Sequence, residues 1–155
     1  MFNILNKIFY LSKNLNVVSS KFSILKKETS IEKIFKAIEN YSEEAEVRYV
    51  GGCIRKILNN EKVEDIDLAT NIEPIKVKSA LQKNGINFYE TGMTHGTITA
   101  SIENEKYEIT SLRCDVSTDG RHAKVEFTNN WLQDAERRDF TINSIYSDIN
   151  GNLFD

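Results

Sequence analysis

The sequence predicts a single α+β domain, and three observations lead there. Ile31, Ile34, Phe35, Ile38 and Tyr41 fall on one helical stripe, the pattern of a helix with a buried face. Short apolar strands then alternate with short helices through residues 47–85. Residues 86–113 read as consecutive β segments. With 155 residues, 40% hydrophobic and 28% charged, the chain is long enough for one domain with a real core.

Residues 1–28 are rich in Asn, Lys, Ser and Ile without clear periodicity, and read as a poorly specified extension with one short helix near 2–12. The domain proper is assigned to 29–155. Thr29 and Glu32 have the spacing of a capping box at the start of the first amphipathic helix. Residues 47–50 form a strand entering the Gly51-Gly52 turn, and 53–59 a short helix. A second strand spans 63–69. Thr70 and Glu73 open the next helix, with Pro74, the single proline, in its first turn and Gly85 at its end. Strands are expected over 86–89, 96–102 and 106–112, the last two joined by a turn at Glu103-Asn104-Glu105. Residues 114–124 are polar and read as a loop. Residues 131–146 are expected to be helical, at least in their first half, and Asn150-Gly151 is a turn. No internal repeat, low-complexity linker or second domain is visible.

The net charge is −3 and the sequence pI about 5.5, so the totals carry no basic footprint for nucleic acid. Any RNA contact has to be local or supplied by another part of the molecule. Two widely separated cysteines, Cys53 and Cys114, make neither a disulfide framework nor a zinc site, and point to reduced thiols in the cytoplasm. The apolar patch Ile8-Phe9-Tyr10-Leu11 is too short for a membrane span and lacks a small-residue cleavage site.

The chemistry centres on Asp65-Ile66-Asp67. Carboxylates two apart on a strand share a face and repel each other unless a cation lies between them. Hard cations such as Mg2+ take carboxylate oxygens together with substrate phosphates. Glu108 is the best-placed third carboxylate on a neighbouring strand. Upstream, Gly51-Gly52 lets backbone N–H groups approach a ligand, and Arg55 sits about one turn into the following helix, within reach of a phosphate. Alone, each piece has a plainer reading: an exposed alternating strand, or a tight strand-to-helix turn. In this order they suggest nucleotide chemistry. In Arg137-Arg138-Asp139-Phe140-Thr141-Ile142-Asn143, the guanidiniums can bind phosphate or a base edge, Asp139 can accept from ribose hydroxyls, and Asn143 can fix Asp139. The plainer reading here is a solvated helix whose arginines pair with Asp134 and Glu136. His95, at a strand entry, reads as structural. Arg121 and His122, in the polar loop, suit phosphate or RNA.

Together these residues resemble the head domain of the class II tRNA nucleotidyltransferase (CCA-adding) and bacterial poly(A) polymerase family, over roughly 47–155. The resemblance rests on Val50-Gly51-Gly52-Cys53-Ile54-Arg55, Asp65-Ile66-Asp67-Leu68-Ala69-Thr70, His95-Gly96-Thr97, Glu108 through Arg113 with Asp115, Asp119-Gly120-Arg121-His122-Ala123, and Arg137 through Asn143. The Asp-Gly-Arg-His-Ala loop is more like the CCA-adding branch. The resemblance implies a nucleotidyltransferase fold, a small mixed sheet backed by helices. It implies Asp65 and Asp67 as Mg2+ ligands with Glu108 as third acid, and Gly52, Arg55 and Arg138 on the triphosphate, with Gly51 completing the turn. Asp139 and Asn143 would serve the ribose, while Arg113, Arg121 and His122 would form an RNA or phosphate loop. The reaction implied is addition of CMP or AMP, from CTP or ATP, to the 3′ end of tRNA.

Two departures stand out. Lys56 follows Arg55 where the family usually has Asp. The neck, body and tail domains of the family have no counterpart in the sequence, so residues that choose C or A would have to come from a separate chain. The alternatives are a catalytically incomplete remnant that binds nucleotide or RNA without turnover, and a poly(A) polymerase head.

Overall fold

The computed structural model describes residues 19–116, 124–138 and 141–154. The expected helix near 2–12 lies outside them, as do Arg121, His122 and Asp139. Five helices are described: α1 (residues 19–28), α2 (Ile31–Glu39), α3 (Gly52–Leu58), α4 (Pro74–Lys83) and α5 (Trp131–Glu136). The strands are β1 (Val47–Val50), β2 (Ile66–Thr70), β3 (Asn87–Gly92), β4 (Thr97–Ile102), β5 (Glu105–Ser111), β6 (Arg113–Val116), β7 (Lys124–Phe127), β8 (Tyr146–Ser147) and β9 (Leu153–Phe154).

Seven strands make one sheet in the order β3-β4-β5-β2-β1-β8-β9, and β6 and β7 make a separate two-stranded ribbon. Among the described pairings only β2 with β5 is parallel, so the expected mixed sheet is what forms. That pair needs a crossover, which α4, β3 and β4 provide.

The helical stripe is buried as its spacing required: Ile31, Ile34, Phe35 and Ile38 are at most 1% exposed. They meet Val77 and Leu81 of α4 and the inward residues of the sheet, including Tyr49, Leu68, Ile98, Tyr107 and Ile109. A smaller cluster, Val50, Ala69, Leu112 and Tyr146 with Trp131 and Ala135, seats α5.

Several local expectations are corrected. The capping box does not form: Ser30 is the N-cap of α2 without a side-chain bond, the Thr29 hydroxyl donates to the Leu25 carbonyl, and Glu32 pairs with Lys26 and Lys36. Thr70 ends β2 instead of opening α4, its hydroxyl donating 2.7 Å to the Glu46 carbonyl. The polar stretch 114–124, read as a loop, carries most of β6 at its start and the first residue of β7 at its end, the two strands being in register from Arg113↔Phe127 to Val116↔Lys124. Of the stretch 131–146, expected to be helical at least in its first half, the first half is helical and α5 stops at Glu136. A 3-10 turn, Thr141–Ser144, and β8 follow it.

Helix α1 lies in the stretch assigned by sequence to the extension, and it packs on the core through Phe22 and Leu25. Phe22 is fully buried and its ring lies 5.1 Å from that of Tyr49. Gly151, at φ +88°, makes room for this helix: a Cβ there would sit 2.9 Å from Phe22 Cδ2 and 3.1 Å from Ser19 Cα.

Candidate functional site

Strand alternation builds the site. In β2 the side chains of Ile66, Leu68 and Thr70 are buried, and Asp67 turns to the opposite, open face. Asp65 precedes the strand by one residue and is exposed. In β5, Tyr107 and Ile109 go inward, leaving Glu108 and Thr110 outward. The parallel register sets Asp67 opposite Glu108, and β4 adds Thr97 beside Thr110, their hydroxyls 2.9 Å apart.

A cavity of about 340 Å³ opens over this face. Asp67, Glu108, Gly51 and Thr97 line it from the sheet side. Arg113, Arg137 and Arg138 line it from β6 and the end of α5. His95, read from sequence as structural, also lines it, and its carbonyl accepts 2.8 Å from Arg113 Nη1.

The Asp67 carboxyl is held above its usual range. Burial is the larger cause, and the negative charges of Glu108 and Asp65 add to it. Arg138 and Lys56 work the other way. Two neighbouring carboxylates thus bear on Asp67. Among the described residues, however, no group of three His, Cys, Asp or Glu side chains is gathered closely enough to hold a metal ion unaided. Hard oxygen donors destabilised by mutual repulsion fit a divalent ion.

The glycine turn is built as its residues dictate. Gly51 adopts φ +72°, ψ −128°, outside the range of L side chains, and caps α3. Arg55 Nη2 lies 4.0 Å from where a Cβ on Gly52 would stand, so this guanidinium folds back over the turn. Arg55 itself is exposed and is not part of the cavity wall, nor is Asn143, which sits half-buried in the 3-10 turn.

Sequence reading missed the role of Asp134. It was placed on a solvated helix face, pairing locally with the arginines. The pairing exists, but Asp134 is only 1% exposed and collects donors from three elements. Its Oδ1 accepts from Arg113 N (3.1 Å), Arg137 Nε (3.0 Å) and Arg137 Nη2 (2.8 Å). Its Oδ2 accepts from Arg138 Nε (3.1 Å), Arg138 Nη2 (2.9 Å) and the Tyr146 hydroxyl (2.6 Å). Burial pushes this carboxyl up, but the Tyr146 hydroxyl and both guanidiniums outweigh it and hold it below the usual range. Arg137 Nε also donates 3.1 Å to the Arg113 carbonyl. The one sequence signal was the spacing of Asp134 three and four residues before the arginine pair.

Both cysteines are free thiols, and burial pushes Cys53 up to about 11, which keeps it protonated and inert. No helix among the described residues is long and apolar enough to cross a membrane.

Residues 47–155 match the family described as the Poly A polymerase head domain. CCA tRNA nucleotidyltransferase 1, mitochondrial, of Homo sapiens is 52% identical over 114 residues, which make up 73% of this chain and 26% of that protein. The crystal structure of the Bacillus stearothermophilus CCA-adding enzyme in complex with CTP superposes with a TM-score of 0.66 at 28% identity, over 79% of this chain and 28% of that one. A tRNA nucleotidyltransferase complexed with a primer tRNA and an incoming ATP analog gives 0.56 at 27% identity, over 73% and 32%. The chain therefore spans about a quarter of the length of the curated relative it matches.

Proposed function

We propose, from the premise that this chain belongs to the Poly A polymerase head domain family, that it is a nucleotidyltransferase head adding CMP or AMP, from CTP or ATP, to the 3′ end of tRNA. The observation that carries this is the pairing of Asp67 with Glu108 across the parallel strands, facing the arginines over one cavity. The relatives named for CCA addition, and those solved with CTP or with primer tRNA and an ATP analog, support the substrates.

Asp65 and Asp67, with Glu108, are the residues that would hold Mg2+, which when bound neutralises phosphate charge and sharpens the attacking hydroxyl. The chain's own groups do the rest. Gly51 and Gly52 offer backbone close to the triphosphate, and Arg55 and Arg138 supply planar donors for its oxygens. Asp139 and Asn143 serve the ribose, and the loop with Arg113, Arg121 and His122 serves RNA phosphate.

In the reaction, the RNA 3′-oxygen bonds to the α-phosphorus, the bond to the β-bridging oxygen breaks, pyrophosphate leaves, and the hydroxyl proton passes to solvent. No protein nucleophile is required, so positioning and charge do the work. Choice between C and A, and the grip on the tRNA body, are assigned to a neck and body supplied outside these residues, including by a separate chain.

The test is incubation of the full chain with labelled CTP or ATP, Mg2+ and tRNA lacking its CCA end, with and without an added neck and body. Incorporation that vanishes in Asp67→Ala is expected, and its absence under both conditions overturns the reading. A binding role without turnover is the second reading, motivated by Lys56 standing after Arg55 where the family usually has Asp. Calorimetric binding of ATP without incorporation would select it.

A further inference from the structure

We propose that Asp134 is a positioning residue: by clasping Arg137 and Arg138 it keeps the Arg138 guanidinium from closing onto Asp67 and Glu108, and so leaves those carboxylates open to a divalent cation. This deepens the reading above and rests on it.

Arg138 shares the cavity with two acidic residues, Asp67 and Glu108. An arginine facing two underneutralised carboxylates pairs with them unless a better partner holds it. Asp134 is that partner. It takes Nε and Nη2 of Arg138 in a two-pronged grip on one oxygen, and the same two nitrogens of Arg137 on the other. The Arg113 backbone N–H adds a third donor to Oδ1 and the Tyr146 hydroxyl a third to Oδ2, so the carboxylate is held from both ends. Burial at 1% exposure strengthens every one of these bonds. Tyr146 also lies under Arg138, the guanidinium carbon 5.6 Å from the ring centroid. The clasp therefore fixes two cations on one wall of the cavity and reserves the opposite, acidic wall for a metal.

Mn2+ titration of the full chain, read by the electron paramagnetic resonance signal of free Mn2+, tests this without any turnover. In the native chain, binding is expected to depend on Asp67, being lost in Asp67→Asn. Asp134→Asn keeps the shape but drops the charge, and should weaken Mn2+ binding on the order of tenfold, as loss of an outer partner of a metal site does. Replacing Arg138→Gln in that background should restore binding to within about twofold of native, because the two changes act through one contact. Unchanged Mn2+ affinity in Asp134→Asn, or no rescue by Arg138→Gln, overturns the proposal and leaves the transferase reading standing. Native binding that ignores Asp67 overturns both. If circular dichroism shows that Asp134→Asn does not fold, Arg138→Gln alone decides: Mn2+ binding within about twofold of native supports the proposal, because a clasped guanidinium does not compete for the carboxylates, and binding tightened on the order of tenfold overturns it, because Arg138 then already closes on them in the native chain.

Discussion

Asp67 sits where its charge is unwelcome. Its folded-state carboxyl is raised by burial and by Glu108 and Asp65. An acid with a raised folded value binds its proton more tightly when folded. Stability is then lost as pH climbs from the ordinary 3.8 through the folded value. Asp67→Asn should therefore melt higher than the native chain in EDTA at neutral pH, with an advantage that shrinks toward pH 3. A thermal series across pH reads this directly. The same variant should lose at least about 100-fold of transfer activity, since the lost charge acts where the reaction develops its own. Gly51 gives a cleaner stability test. Nothing lies within 4 Å of its missing Cβ, so Gly51→Ala pays only for φ +72°. Urea unfolding should show a loss of about 1–3 kcal/mol.

Elements show why some of this was legible and some was not. Asp67 and Glu108 could be found because a strand has period two: once Leu68 and Ile109 are inside, their neighbours must be outside. Gly51-Gly52 was legible because that turn demands a residue without a Cβ. Asp134 was not. Its burial depends on Tyr146, twelve residues on, and on Arg113, twenty-one residues back. No local window contains both. The β6–β7 ribbon escaped for a related reason: Cys114, Asp115 and Glu126 lack the apolar alternation that marks a half-buried strand. Helix α1 was hidden because only Phe22 is fully buried in it, with Leu25 packed beside the core. Phe22→Ala should then cost about 3–5 kcal/mol, the usual range for deleting a buried ring. Chemical denaturation would measure it, and a loss below 1 kcal/mol would mean that α1 is not part of the cooperative unit.

For the molecule as a whole, ligand binding and folding are linked. A nucleotide that binds only the folded state stabilises it by about 2.7 kcal/mol at a hundred times its dissociation constant. In a chain of this size that shifts the melting temperature upward by several degrees, roughly 2–4 °C per kcal/mol. CTP or ATP with Mg2+ should produce this shift, and Asp67→Ala should remove most of it. Fluorescence-monitored melting would show both.

Strand β1 lies in the middle of the sheet, yet one of its two partners is β8, pairing Tyr49 with Ser147 almost a hundred positions later. Helix α1 waits on the same late segment, its Ser19 hydroxyl bonding the Asn150 carbonyl. A nascent chain leaving the ribosome must therefore hold an apolar, half-paired strand exposed until residues 146–154 emerge. Arrested translation products whose emerged part stops short of residue 146 should be cleaved readily by protease, and protection should arrive abruptly once the β8–β9 hairpin clears the exit tunnel.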